Sequence, residues 1–271
     1  MTAGQINPAP VGRPAKPARS PLVFLALAGF LAMTWFSASE ALGIGFDVGE
    51  LLGNLTRGFD ILGDFWPPDW GFLPQTYGPM VETFGMAIIA SVIGCGLALP
   101  IAFWASRVTT PNLLVYIADR SILNVIRAIP DILYALIFVA ALSIGPLPGI
   151  LALILFNIGV AVKLLSETVD GVDPGPIEAA RAAGANRTQT VRWSVLPQVF
   201  LNYVAYSLYV FELNIRASAV LGIVGAGGIG RLITTERRFF RYDNLMVILI
   251  EIFVVVFLIE VTSIYLRRKL V

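Results

Sequence analysis

The chain has 271 residues, of which 57% are hydrophobic and only 14% charged, with a mean hydropathy of +0.79 and a formal net charge of +1. That balance excludes a water-soluble fold, which could not hide so much apolar surface. There is no histidine and a single cysteine, Cys95, so zinc clusters, histidine-based triads and internal disulfides are excluded as well.

A bilayer core about 30 Å thick needs about 20 helical residues at about 1.5 Å each, and several segments meet that requirement. The short alternating strands of a membrane β-barrel are missing. The expectation is an all-α membrane protein with about six transmembrane helices.

In chain order, residues 1–21 hold Pro8, Pro10, Pro14, Pro17 and Pro21 with Arg13, Lys16 and Arg19, and read as a disordered cytoplasmic tail. Residues 22–42 form the first transmembrane helix, with Glu40 near its far end. A cleaved signal peptide ending near Ser37-Ala38-Ser39 is the rival reading. Residues 43–79 read as a periplasmic segment. Within it Val48, Leu51, Leu52, Leu55, Phe59, Leu62 and Phe65 recur at helical spacing among Asp47, Glu50, Asp60 and Asp64, which predicts an amphipathic helix on the membrane surface. An ordinary loop is the alternative. Trp66-Pro67-Pro68-Asp69-Trp70 ends it with two indoles suited to the headgroup zone.

The core is expected over 80–271. Its first span runs from Met80 to Trp104, and Gly85, Gly94 and Gly96 suit close helix approach. Asn112–Ile129, carrying Asp119, Arg120 and Arg127, reads as a surface helix. It leads through a kink at Pro130 into a span ending near Ser143. Gly145-Pro146-Leu147-Pro148-Gly149 reverses the chain into Ile150–Leu165. After Pro197 come a span over Gln198–Leu213, a glycine-rich segment 216–230, and a last span over Leu245–Leu266 before Arg267-Arg268-Lys269. Six spans put both termini in the cytoplasm. Of 19 basic residues, Arg57, Arg216, Arg231, Arg237, Arg238 and Arg241 then fall outside and the rest inside, as the positive-inside rule demands.

Between two spans lies a polar block, residues 170–197. Asp173 can cap a helix entered at Pro174, Gly184 suits the left-handed residue that closes it, and Asn186 with Gln189 resembles a second capping box. The small side chains Ala179, Ala180, Ala182 and Ala183 would fit a groove. An amphipathic loop helix is the plainer reading, and spacing alone favours neither.

The run from Glu178 to Pro197 resembles the EAA loop of ABC-importer permeases. The matching positions are Glu178, Ala179, Ala180, Gly184, Leu196 and Pro197, and Ser194 departs from the pattern, which has an apolar residue there. The resemblance implies that this loop sits in a cleft of a cytoplasmic ATPase, with Glu178 and Gly184 fixing the docking. A second stretch, Phe211-Glu212-Leu213-Asn214-Ile215-Arg216-Ala217-Ser218-Ala219-Val220 with Leu221-Gly222-Ile223-Val224-Gly225-Ala226-Gly227-Gly228-Ile229-Gly230, is similar to phosphonate-transport permeases.

Together these imply a type I ABC importer (MetI-like) permease core in a prokaryotic plasma (inner) membrane. The implied partners are a second copy of the chain, two ATPase subunits, and a periplasmic or lipid-anchored substrate-binding protein, with no nucleic acid involved. The implied cargo is phosphonate or a related phosphorus oxyanion. The chain lacks G-x-x-x-x-G-K-[ST], so ATP and Mg2+ belong to the partner ATPase and this chain carries no cofactor, metal or catalytic residue.

Gly225 to Gly230 also fits G-x-G-x-x-G, but no strand or βαβ unit precedes it. In a bilayer, glycines at this density argue for a broken helix beside protein or water. A gate formed by Gly225, Gly227 and Gly228 and close packing at a dimer interface are both open readings. Glu212 and Arg216 lie four apart, as do Asn214 and Ser218. Arg216 offers a planar fork to an oxyanion and Asn214 or Ser218 a donor, while an internal Glu212–Arg216 pair is the plainer alternative. Arg237, Arg238 and Arg241 are expected on the outer face to receive the binding protein, or simply to be solvated. A reading from another class makes the chain an ion-coupled carrier using Glu82, Glu251 or Glu260, though it shows no repeated half with matching broken helices. An intramembrane enzyme is a third reading, weakened by the lack of histidine and of a clustered carboxylate pair.

Overall fold

The computed structural model describes residues 21–39, 45–110 and 112–270, which are helical throughout apart from turns, with no strand among them. Of the tail expected over 1–21, residues 1–20 lie outside these residues, as do residues 40–42 of the expected first span, while Pro21 opens the first helix.

The described residues up to Ile61 form one compact unit and those from Leu62 a second. In the first, α1 (Pro21–Ala38) is apolar on every side and buries none of its residues, the composition of a helix whose solvent is lipid. The amphipathic pattern after Asp47 corresponds to α2 (Val48–Gly63). The second unit starts well before residue 80. Phe65 and Phe72 already pack with Met80, Ile229, Leu245 and Ile248, so the stretch taken as periplasmic from Leu62 onward belongs to the core.

A 3-10 turn at Trp70–Phe72, capped by the Asp69 carboxylate on the Gly71 N–H at 2.9 Å, opens α3 (Leu73–Trp104). At 32 residues this helix is about 48 Å long. It carries Pro79 and Pro100 in its interior, which leave the carbonyls of Gln75 and Gly96 without their helical N–H donors. Nearby, Thr83 donates to the Pro79 carbonyl at 3.0 Å and Tyr203 to that of Cys95 at 3.1 Å.

The expected kink at Pro130 is a full break. Helices α4 (Leu113–Ala128) and α5 (Asp131–Leu142) meet at 84°, because Ile129, as the residue before a proline, is extended at φ −91°, ψ 123°. At 12 residues, α5 is about 18 Å long and cannot cross the bilayer alone. Among the described residues five helices are therefore long and apolar enough to span, and a sixth crossing exists only if α4 and α5 count together.

The remaining elements are α6 (Pro146–Asp170), α7 (Pro174–Ala182), α8 (Arg187–Thr190), α9 (Leu196–Ile223), α10 (Gly228–Arg238) and α11 (Tyr242–Leu270). Two boundaries differ from expectation. The chain does not start a new span after Pro197: a π-helical turn, Val191–Val195, joins α8 to α9, with the Leu196 N–H bonded five residues back to the Val191 carbonyl. Pro197 falls in the first turn of α9, where its missing donor costs nothing. Nor is the glycine-rich segment broken from residue 216. Helix α9 continues to Ile223, and the break is confined to Val224–Gly227.

Small residues let α3, α6 and α9 approach. Ala98, Ala102, Val162, Leu165, Val169, Val199 and Val210 form one buried cluster, and Ala90, Ala135, Ala152, Leu153 and Leu221 a second. Since lipid tails are as apolar as these side chains, van der Waals fit and interhelical hydrogen bonds hold the bundle. The fully buried Asn157 donates to the Ala90 carbonyl at 2.9 Å, and a Cβ on Gly94 would lie 2.5 Å from the Asn157 Cβ. Of the three glycines expected to permit such contact, only Gly94 does, since a Cβ on Gly85 or Gly96 would meet nothing within 4 Å.

Candidate functional site: the helical hairpin and the glycine turn

Two places in the fold carry the candidate residues. The first is the hairpin between α6 and α9. The Asp173 carboxylate accepts from the Gly175 N–H at 2.9 Å, with Pro174 in the first turn of α7. At the other end Gly184 is left-handed at φ +81°, and the Gly184 and Ala185 N–H groups reach back to the Arg181 and Ala180 carbonyls, both at 3.0 Å. That pair of bonds is a Schellman closure. Asn186 and Gln189 form a reciprocal capping box, at 2.9 Å and 2.8 Å. Each turn is thus closed by its own residues.

Only Ile177 of α7 is buried. Glu178, Ala179, Ala182, Ala183 and Gly184 are exposed, with Ala180 half-buried, so the stretch Glu178–Gly184 offers a small-residue surface outward. Leu196 is half-buried, Pro197 is exposed, and Ser194, the residue that departs from the pattern, is buried in the π turn. The Gln198 amide donates to the Ser194 carbonyl at 2.7 Å, and its oxygen accepts from the Asp173 N–H at 3.0 Å. One side chain therefore joins the hairpin's entrance to the base of α9.

The hairpin is also rooted through Asp170, the last residue of α6. Its Oδ1 accepts from the Ser106 hydroxyl at 2.6 Å and the Arg107 N–H at 2.8 Å, and its Oδ2 from Arg120 Nη2 at 2.9 Å. Arg120 also donates to the Ala105 carbonyl at 3.0 Å. The Tyr116 ring lies under both the Arg120 and Arg107 guanidinium groups, 4.9 Å and 5.4 Å from its centroid. Its hydroxyl accepts from Arg107 Nε at 2.9 Å and holds that guanidinium's pKa above its ordinary value. Arg187, at the head of α8, donates to the Thr109 carbonyl. Sequence reasoning missed Asp170, Arg120, Tyr116 and Ser106 as members of one assembly, and Gln198 as the link between Asp173 and Ser194. Tyr116 and Arg120, four apart on α4, were the only local signal.

The second place is the far half of α9 and the turn after it. Glu212 is buried and ion-paired to Arg216 one turn on, as the spacing predicts. The pair belongs to a larger set. Arg267 of α11 reaches Glu212 at 3.3 Å, and Arg216 reaches Glu260 of α11 at 3.6 Å. Arg216 and Glu260 side chains remain 46% and 49% exposed. Asn214 and Ser218 lie elsewhere. Both are fully buried, with the Asn214 amide on the Ser91 hydroxyl at 2.7 Å and the Ser218 hydroxyl on the Asn214 carbonyl at 2.7 Å. The Asn214 amide is engaged between α9 and α3 and the Ser218 hydroxyl within α9, so neither joins Arg216 in an open site.

Gly225, Gly227 and Gly228 all have positive φ, at +94°, +85° and +67°. The Gly225 carbonyl accepts from the Gly145 N–H at 3.1 Å, and the Thr83 hydroxyl accepts from the Ile229 N–H at 2.8 Å as α10 begins. A Cβ on Gly222 would lie 2.4 Å from the Gly227 carbonyl oxygen, and one on Gly230 only 2.0 Å from that of Ala219. The outer glycines permit backbone contact between α9 and α10, and the inner ones make the turn. At the end of α10, Arg237, Arg238 and Arg241 are exposed beside the exposed Phe239 and Phe240. Arg241 lies 3.7 Å from the buried carboxylate of Glu236.

With this geometry in view, comparison with known proteins is specific. Residues 98–268 match the family model described as the binding-protein-dependent transport system inner membrane component. The chain is 38% identical over 222 residues to the phosphite transport system permease protein PtxC of Stutzerimonas stutzeri, covering 82% of this chain and 81% of that one. It is also 38% identical over 206 residues to the phosphate-import permease protein PhnE of Mycolicibacterium smegmatis, covering 76% of this chain and 39% of that one. Among solved structures, an inward-facing MetNI methionine ABC transporter superposes with a TM-score of 0.66 at 23% identity, over 75% of this chain and 99% of that chain, a likeness of fold. The chain belongs to the family of binding-protein-dependent transport system inner membrane components, the permeases of ABC importers.

Proposed function

We propose that the chain is the translocation subunit of an ATP-driven importer of phosphorus oxyanions, working as a homodimer with two cytoplasmic ATPases and a substrate-binding protein. The observation that carries the reading is the hairpin. It is capped at both turns, rooted on the turn after α3 and on α4 through Asp170 and Arg187, and continuous with the spanning helices α6 and α9. A push on its Glu178–Gly184 surface is therefore transmitted to two spans at once. ATP and Mg2+ reside on the ATPases and this chain holds no cofactor. Closure of the nucleotide-bound ATPases draws two hairpins together and opens the path outward, and hydrolysis resets it.

The cargo class follows the phosphite and phosphate permeases that the chain resembles. The homodimer is supported by Arg216 and Glu260, half-exposed charges in spanning helices that lipid could not face cheaply and a second copy or a water-filled path would cover. Arg216 is already held by two carboxylates, so an oxyanion passing it is bound weakly, as transport requires. The exposed Arg237, Arg238 and Arg241 receive the binding protein, and the turn over Gly225, Gly227 and Gly228 closes the path. Both termini lie in the cytoplasm of a prokaryotic cell.

The test is ATP hydrolysis by the chain reconstituted with its ATPase and binding protein, with phosphite, phosphate or methylphosphonate as ligand. Loaded binding protein is expected to stimulate hydrolysis at least about tenfold, a change of about 1.4 kcal/mol. Glu178→Lys and Gly184→Asp are expected to abolish the stimulation while the chain still folds. Transport down an ion gradient by the chain alone would sink the reading.

A further inference from the structure

Beside the hairpin lies a pocket of about 380 Å³ between the turn that follows α3 and the inward side of α7 and α8. Arg107, Arg181 and Arg187 line it with Thr109, Thr110 and Thr190, and no acidic residue does. The three cations differ in how they are held. Arg107 spends its Nε on the Tyr116 hydroxyl and Arg187 spends one Nη on the Thr109 carbonyl, while among the described residues Arg181 makes no ion pair or side-chain hydrogen bond. Asp170, the acid whose charge acts on Arg107, already accepts from Ser106, Arg107 N–H and Arg120.

Arg187 lies in the hairpin, outside the spans, and its pKa is pushed below the ordinary value by burial and then by the like charge of Arg181. The like charges of Arg187 and Arg181 repel each other, and an anion between them would offset that repulsion. A pocket of this size accepts a tetrahedral oxyanion with several waters, each of about 30 Å³, and guanidinium forks match its oxygens in pairs. The docking surface is separate. The pocket takes the stripe Ile177, Arg181 and Ala185, spaced four apart on one side of the hairpin, whereas Glu178, Ala179, Ala182, Ala183 and Gly184 face outward.

The geometry points to a phosphate-binding site at the root of the hairpin, formed by Arg107, Arg181 and Arg187, in which a phosphate-type oxyanion bridges the hairpin to the turn after α3. It rests on the importer reading only for the side of the membrane on which the anion is met. It is distinct from the transported cargo's passage, since Arg216 lies on α9 among the charges shared with α11. A free phosphorus oxyanion and the phosphate of an anionic lipid headgroup share this chemistry.

The experiment is hydrogen exchange on the full-length chain in nanodiscs, alone and with the ATPase, following peptides over 105–110 and 177–195. One arm uses phosphatidylcholine with inorganic phosphate titrated in; the other adds phosphatidylglycerol without phosphate. Exchange in both peptides is expected to slow at least threefold in one arm or the other, and the arm that responds names the source. Arg181→Gln should remove the response, with Arg181→Lys retaining part of it. A folded chain, judged by unchanged exchange in α3 and α6, that shows no slowing in either arm overturns the site. So does slowing produced only by the ATPase in neutral lipid, because the pocket would then hold an acidic side chain of that partner. Failure of the ATPase to bind at all strikes the importer reading, while the chain measured alone still answers for the pocket.

Discussion

The hairpin and the glycine turn both reverse a helix, and they do so by opposite means. In the hairpin every turn is closed by residues within a few positions: Asp173 on Gly175, Gly184 and Ala185 on the carbonyls before them, Asn186 and Gln189 on each other. A Cβ on Gly184 would meet nothing within 4 Å, so that glycine is there for its φ alone. In the turn between α9 and α10 the constraints come from elsewhere. Gly222 and Gly230 lie against backbone, and the start of α10 is capped by Thr83, 146 positions away in sequence. A self-closed hairpin can move as a body without unfolding, whereas the glycine turn shifts only if its neighbours do. That difference suits a handle at one end and a fixed or gated seam at the other.

The sharpest way to break the comparison is Gly230→Ala. The new Cβ would sit 2.0 Å from the Ala219 carbonyl oxygen, and because the obstacle is backbone, α9 and α10 must separate. Overpacking of this kind costs about 3 kcal/mol. Thermal unfolding in detergent should show a large drop in midpoint or no folded chain. An unchanged midpoint would mean that the seam is not as tight as its distances imply. At the hairpin the matching change, Gly184→Ala, meets only the left-handed backbone and should cost about 1 kcal/mol, read as faster hydrogen exchange in 180–190 with the bundle unaltered.

Asn186→Ala comes next. It removes the acceptor that closes the box on Gln189 and should cost about 1 kcal/mol of local stability. Exchange should rise in α8 but not in α3 or α6, since Arg187 and Gln198 still root the hairpin. If protection is lost across α6 as well, the hairpin is not the self-closed unit its bonds describe.

The same contrast explains what could be read from the residues alone. Asp173, Pro174, Gly184, Asn186 and Gln189 were legible as caps because each acts on a neighbour. The spans were legible because lipid selects composition, not partners. The span was expected only after Pro197, whereas the π turn over Val191–Val195 leads the chain into α9 before that proline, and no single residue announces such a turn. Asp170 with Ser106 and Arg120, Glu212 with Arg267, and Ile229 with Thr83 join positions 50 or more apart, so their pairing exists only once the helices are packed. Asn214 and Ser218 show the same limit from the other side: polar residues in a span read as a passage, and here Asn214 fastens α9 to Ser91 of α3 while Ser218 bonds back within α9.

The smallest effect separates packing within one chain from packing between two. A Cβ on Gly85 meets nothing within 4 Å, although the α3 residues around it, Met86 and Ala87, are fully buried. In one chain Gly85→Ala removes a poor helix former and should leave the unfolding midpoint equal or raise it, by up to about 1 kcal/mol. If the permease acts as a homodimer whose second copy packs on this side of α3, the added methyl meets that copy instead. The dimer would then weaken, visible as a shift toward monomer in native mass spectrometry while the monomer's midpoint is unchanged. Gly96→Ala, about three turns further along α3 and equally open, is the internal control. A loss at one position and not the other locates the partner along the helix, and a loss at neither leaves α3 facing lipid or water at both.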